Sequence, residues 1–100
     1  MVSRAKVYDC LQEIFDPEVG INIVDLGLVY DVAVEQDNVA VDFTLTYRGC
    51  PLGPQIQQSI IDSLTTSGAT AHATANLVWE PRWDPSFMSD EARVSLGYPI

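Results

Sequence analysis

One cysteine stands where a thiol could do chemistry. Cys50 follows a glycine at the end of a strand-like run and precedes Pro51, which is tolerated in the first turn of a helix. Free amides and the positive end of the helix dipole favour a thiolate there, and Arg48 would add to the effect, so we predict a lowered pKa for this thiol. A thiolate could bind a metal or attack an electrophile. The alternative is a small buried apolar residue.

Three carboxylates gather in one loop upstream. Asp16, Glu18 and Asp25 surround a segment that has neither helical nor strand periodicity. Carboxylates in such loops ligate metals or act as acids and bases, but aspartates also cap turns by binding backbone amides. Thr46 lies four residues before Cys50 and could donate a hydrogen bond to a thiolate or accept one from a turn amide.

The other cysteine and the single histidine are weaker candidates for functional residues. Cys10 falls at helical spacing with Val7 and Leu11, which predicts a place on a buried helix face. His72 lies within a strand pattern without a companion ligand, and we interpret it as solvent-facing. Two cysteines and one histidine also cannot form a closed four-ligand zinc site within one chain.

Hydrophobic periodicity predicts the elements that would position these residues. We expect a helix capped by Ser3 and ended by Pro17, an irregular connection over 16–25, strands over 26–34 and 39–45 joined by a hairpin turn, a helix from Pro51 to Gly68, a strand over 70–79 and a short helix over 89–96. The order α-β-β-α-β with a short C-terminal helix predicts an α+β two-layer sandwich, with the helices on one face of a three-stranded sheet. Residues 1–100 are expected to form a single domain, with a core over 1–79 and a tail containing proline and tryptophan over 80–100.

Charge and composition exclude several classes of protein. The chain carries 14 acidic and 5 basic residues, for a net charge of −9. Such a surface repels phosphate backbones and anionic lipids, so we expect neither nucleic acid nor membrane as a partner. No segment has the apolar length of a membrane span or the pattern of a signal peptide. We therefore expect a cytoplasmic protein whose two thiols are reduced.

Several short motifs, taken in order, resemble one known family. The chain is similar to the iron–sulfur cluster assembly (FSCA) domain family over about residues 5–97. The matching segments are Asp16-Pro-Glu, residues 22–28, the strand end Thr-Leu-Thr46, Gly-Cys-Pro51, Leu-Val-Trp-Glu-Pro over 77–81, and Trp83, Met88-Ser89, Glu91-Ala-Arg93 and Leu96-Gly97 in the tail. The fold of this family agrees with the order of elements predicted above.

The resemblance also implies a function and a set of site residues. The family's cysteine matches Cys50, its acidic motif matches Asp16 and Glu18, and its threonine matches Thr46. It implies an assembly, carrier or targeting factor for metal–sulfur clusters rather than an enzyme, with Cys50 as metal ligand and with iron or a cluster bound transiently rather than tightly. Because clusters usually take four thiolates, a homodimer, glutathione or a client would have to complete the shell. The implied partners are client apo-proteins and other cluster assembly proteins.

Other functions remain open at this stage. One is an accessory protein of a PaaD-like aromatic-CoA monooxygenase system, although PaaD-type members carry extra cysteines in a C-terminal extension and this chain ends at Ile100. Another is a thiol enzyme with Cys50 as nucleophile, for which His72 would be the only imidazole base. A third is an interaction module that docks a partner through its acidic face and its tryptophans.

Overall fold

The first helix is shorter than its sequence pattern suggests. The computed structural model describes residues 2–97, and in it α1 spans Arg4–Leu11. Ser3 caps it as predicted, with its hydroxyl accepting from the Lys6 amide. The prediction that the helix runs on to Pro17 is wrong. The chain leaves the helix after Leu11, and Ile14 is buried in the core from the segment that follows.

A small hairpin replaces the expected irregular connection. Strands β1, Phe15–Asp16, and β2, Ile21–Asn22, pair antiparallel, with Phe15 opposite Asn22. Gly20 stands in the turn at φ +73°, a conformation that favours glycine. The hairpin is anchored to the core because the Ile23 amide donates to the Ile14 carbonyl at 2.9 Å. This hairpin holds two of the candidate acidic residues.

The main sheet has three strands, and the second of them along the chain is central. Strand β3, Val29–Glu35, pairs antiparallel with β4, Asn38–Phe43, through the predicted hairpin turn. Strand β5, His72–Leu77, pairs with β4 in parallel. A parallel pair needs a crossover connection, and helix α2, Gly53–Thr66, supplies it and packs against β5. The predicted α+β architecture, with helices against a three-stranded sheet, is confirmed.

The core lies between the sheet and the two long helices. Many of its buried side chains come from alternate positions of β4 and from one stripe of α2: Val39, Val41, Phe43, Ile56, Ile60 and Leu64. This is the pattern expected when the strand period of two faces a helical stripe. Over residues 2–97, no helix has the length and apolarity required to cross a bilayer.

The tail is packed onto the domain. A 3-10 turn, Pro85–Phe87, leads to α3, Asp90–Leu96, which Ser89 caps. The Trp83 indole donates to the Leu26 carbonyl at 2.9 Å, and the Ser89 amide donates to the Asp25 carbonyl at 2.8 Å. Met88 and Ala92 join the buried core. The short helix predicted over 89–96 is therefore present, and the last three residues of the predicted tail lie outside the described residues.

Candidate functional site

The hairpin fixes its two acidic residues in different roles. Asp16 is 5% exposed, and its Oδ1 accepts the backbone amide of Glu18 at 2.8 Å. Its own carbonyl accepts the Gly20 amide at 2.8 Å, which closes the turn. Asp16 therefore shapes the loop, whereas the side chain of Glu18 is exposed. The turn-capping interpretation holds for Asp16.

Cys50 lies in a turn just before α2. Its amide donates to the Tyr47 carbonyl at 3.2 Å, and Leu52 is the N-cap of the helix. The helix begins at Gly53 and not at Pro51, so the predicted start is wrong. A β-carbon on Gly53 would lie 3.3 Å from a Leu77 methyl group, which shows how closely the start of α2 packs against the sheet. Cys50 itself is half-buried.

The structure brings Cys50 and Glu18 together from 32 positions apart. The thiol donates to Glu18 Oε1 across 3.5 Å. Burial raises the pKa of the Cys50 thiol above its ordinary value; the Leu52 amide works against this, and the Glu18 carboxylate raises the pKa further. The prediction of a lowered pKa is wrong, because the thiol is partly buried and the charge beside it is the negative charge of Glu18. Arg48 instead stacks over Trp79, with 5.1 Å from guanidinium carbon to ring centroid.

Tyr47 is a member of the site that sequence reasoning missed. The residue is 51% exposed, and its side chain interacts with the Cys50 thiol and lowers the pKa of that thiol. The negative charge of Glu18 raises the pKa of Tyr47, with smaller contributions from burial and from Cys50. The available signal was its position in the same turn, three residues before the cysteine. Cys50, Glu18 and Tyr47 form one contiguous cluster, which we call the thiol site.

Two other candidates lie outside the thiol site's hydrogen bonds. Thr46 is half-buried and lines a neighbouring cavity; over residues 2–97 its hydroxyl makes no hydrogen bond to Cys50. The carboxylate of Asp25 accepts from the Asn22 side-chain amide at 2.8 Å, and the Asp25 backbone amide donates back to the Asn22 side chain at 2.9 Å. Asp25 therefore stabilises the loop.

Cys10 and His72 are placed away from this chemistry. Cys10 is half-buried rather than enclosed in the core, and its sulfur lies 3.2 Å from the Ser67 hydroxyl. His72 is exposed at the first residue of β5, paired with Asn38, whereas Cys50 follows the opposite end of β4. The length of the strand, roughly 17 Å at about 3.3 Å per residue, lies between His72 and the end of β4 that leads to Cys50. This geometry does not supply Cys50 with a histidine base.

The thiol site offers few ligands for a metal. Among the described residues, no group of three histidine, cysteine, aspartate or glutamate side chains is placed to hold an ion. One thiol and one carboxylate therefore form a two-donor site. Most of the coordination shell of a bound metal or cluster would have to come from outside this chain.

Comparison with known proteins identifies the family. Residues 4–77 match the model of a family described as iron-sulfur cluster assembly protein. The chain belongs to this family. It is 45% identical over 85 residues to the Fe-S protein maturation auxiliary factor SufT of Staphylococcus aureus, covering 84% of this chain and 97% of that protein.

Two further relatives bear on fold and function. A crystal structure of a domain of unknown function from Bacillus anthracis superposes with a TM-score of 0.89 at 37% identity, covering 95% of this chain and 92% of that one. The Fe-S protein maturation auxiliary factor YitW of Bacillus subtilis is 36% identical over 95 residues, covering 94% of this chain and 93% of that protein. The FSCA resemblance and its predicted fold are confirmed.

Neutralising Glu18 should make Cys50 more reactive. In a Cys10→Ala background, we expect Glu18→Gln to speed alkylation of Cys50 by iodoacetamide at about pH 7.5 by about five- to tenfold, because a unit charge near the sulfur no longer opposes the thiolate. Glu13→Gln removes an exposed charge elsewhere and serves as the control. An equal rate in the two variants would contradict the assignment of Glu18 as the charge that acts on this thiol.

The raised pKa of Cys50 should also make the free energy of unfolding depend on pH. The folded-state pKa of Cys50 is raised, so the protonated thiol stabilises the fold below the ordinary thiol pKa, and this contribution is lost as the pH rises through the folded value. Glu18→Gln should reduce that alkaline loss. The pH dependence of urea denaturation above neutrality measures it.

Proposed function

We propose that this protein is an auxiliary maturation factor for iron–sulfur proteins and that its thiol site is where iron or a cluster is held in passing. The observation that carries the proposal is the contact between the Cys50 thiol and Glu18 Oε1, 3.5 Å apart at the protein surface. Membership of the family and the name of the S. aureus relative support the same function. Cys50 is the metal–sulfur ligand, and Asp16 positions Glu18 beside it.

The raised pKa of Cys50 suits a site that is empty between transfers. The thiol stays protonated and weakly nucleophilic at neutral pH, which protects it from oxidation. A bound metal displaces the thiol proton outright, and the neighbouring carboxylate can receive that proton or join the metal. Uptake therefore releases a proton, and acid should weaken it.

The small number of donors favours handing the cargo on. A thiolate and a carboxylate differ in softness, and two donors leave most metal positions open to other ligands. A client that presents several thiolates can enter those positions and then replace Cys50 and Glu18. The transfer is thus driven by the larger ligand set of the acceptor.

Apolar side chains flank the thiol site. Phe15 is 53% exposed, Val19 is 41% exposed and Tyr47 is 51% exposed. Phe15 and Val19 lie on the hairpin that carries Glu18, and Tyr47 touches the sulfur. Exposed apolar groups around a reactive site are typical of a contact surface for another protein. An apo-protein, another assembly protein or a second copy of this chain could supply the missing ligands there.

Anaerobic cluster transfer tests the proposal. The native protein is mixed with iron and sulfide, desalted, and added to an apo-ferredoxin whose own visible spectrum reports the arriving cluster. We expect the ferredoxin to gain its cluster faster than from iron and sulfide at equal concentration. Transfer no faster than the uncatalysed control would contradict the function.

A further inference from the structure

A second candidate site shares Tyr47 with the thiol site. A cavity of about 420 Å³ opens between residues 45–48 and residues 79–83. Its size is within the usual range for small-molecule pockets. The residues that give it chemical character are Tyr47, Arg48, Trp79, Glu80, Arg82 and Trp83. The binding of a metal by Cys50 and Glu18 does not itself require this cavity.

The cavity concentrates positive charge in an acidic protein. Arg48 and Arg82 are two of only five basic residues in a chain of net charge −9. The guanidinium carbon of Arg48 lies over the Trp79 ring, 5.1 Å from its centroid, and the N–H groups of an arginine can bind an anion. Trp83 is fixed by its hydrogen bond to the Leu26 carbonyl. Guanidinium groups in such settings bind carboxylates through paired hydrogen bonds.

The arrangement of charges narrows the class of ligand. Two guanidinium groups and the single carboxylate of Glu80 match a molecule that carries two carboxylates and one ammonium group. The acidic surroundings disfavour polyphosphates, whose charge is greater and more concentrated. The aromatic walls suit a small organic molecule with an extended body. A tripeptide thiol of the glutathione class has this charge pattern and a size suited to the cavity.

The cavity is connected to the thiol site through one side chain. Tyr47 lines the cavity, and its backbone carbonyl accepts the Cys50 amide at 3.2 Å. A thiol bound in the cavity would therefore lie near the thiol site, where the described residues supply only two donors for a metal.

We propose that this cavity binds a tripeptide thiol of the glutathione class, which supplies an external thiolate to a metal held at Cys50. Arg48 and Arg82 bind its carboxylates and Glu80 binds its ammonium group. As the sulfur–metal bond forms, the ligand's thiol proton passes to solvent. The ligand's role at the metal rests on the proposed function, but its binding to the metal-free protein does not.

Binding of glutathione to the metal-free protein tests the site. Titration followed by the indole N–H signals of Trp79 and Trp83 should show saturable binding. Arg48→Gln and Arg82→Gln should each weaken it by about tenfold or more, as expected for charge-assisted hydrogen bonds. Lys6→Gln, which removes an equal charge from α1, should leave the affinity unchanged. No saturation at millimolar glutathione, or insensitivity to both arginine variants, would overturn the proposal.

Two analogues test the remaining parts. N-acetylglutathione lacks the ammonium group and should bind more weakly, so equal binding would contradict the role of Glu80. S-methylglutathione should bind the metal-free protein as well as glutathione does.

With cobalt(II) bound at Cys50, glutathione should increase the sulfur-to-metal charge-transfer absorption and its S-methyl form should not. An equal response to both would show that the thiol does not join the metal. Glutathione binding that survives in Cys50→Ala, together with failed cluster transfer, would separate this site from the proposed function.

Discussion

Replacing Cys50 with alanine is expected to abolish metal binding at the thiol site. Cobalt(II), a spectroscopic stand-in for iron(II), should give a sulfur-to-metal charge-transfer band with the native protein and none with Cys50→Ala. The reason is that the described residues offer only two donors there, and a single carboxylate binds a divalent metal weakly. The free energy of unfolding should change by less than about 1 kcal/mol, since the thiol is half-buried and its partner Glu18 is exposed.

The second cysteine provides the matched control. Cys10 is also free and half-buried, but it lies beside Ser67, just after the C-terminal end of α2, whereas Cys50 precedes the start of that helix. Cys10→Ala should leave the charge-transfer band intact. Loss of the band in Cys10→Ala with retention in Cys50→Ala would show that the metal binds at the other thiol.

Replacing Gly27 with alanine is expected to weaken the packing of the C-terminal tail against the rest of the domain. Gly27 has φ +76°, and a β-carbon there would lie 2.4 Å from the Phe87 carbonyl oxygen and 2.7 Å from the Phe87 β-carbon. The left-handed backbone costs an L-residue about 1–2 kcal/mol, and overpacking adds about 1–3 kcal/mol. We expect Gly27→Ala to lower the free energy of unfolding by about 3 kcal/mol, measured by urea denaturation followed through tryptophan fluorescence.

Gly20 separates the two causes of this loss. It has nearly the same backbone angle, φ +73°, but a β-carbon added to it would meet no atom within 4 Å. Gly20→Ala should therefore show only the backbone cost, about 1 kcal/mol. Hydrogen exchange in α3 should become faster in Gly27→Ala and stay unchanged in Gly20→Ala. Equal effects of the two substitutions would contradict the close contact between Gly27 and Phe87.

The regular elements could be predicted because their signals are local. Val39, Val41 and Phe43 alternate strictly, and all three are buried on one face of β4. Ser3 could be predicted as a cap from its position before a helical pattern, and its side chain accepts a backbone amide. The hairpin over 15–22 was missed because two-residue strands are too short to show a period.

The thiol site could be predicted only in part. Cys50 and Glu18 could each be singled out from its own segment, but only the family resemblance placed them in one site, since nothing local connects them across 32 positions. The predicted direction of the Cys50 pKa shift was wrong, because the shift depends on burial and on a carboxylate that the fold brings close to the thiol. Arg48 was predicted to favour the thiolate, yet its guanidinium lies over the Trp79 ring. Contacts of this kind are set by tertiary structure and leave no periodic trace in the sequence.

Cluster transfer by the two cysteine variants tests the central claim most directly. Native protein, Cys10→Ala and Cys50→Ala are each exposed to iron and sulfide without oxygen, and the rate at which apo-ferredoxin acquires its cluster is then recorded. We predict that Cys10→Ala transfers at the native rate and that Cys50→Ala falls to the rate of iron and sulfide alone. Transfer by Cys50→Ala at the native rate would show that the thiol site does not carry the function.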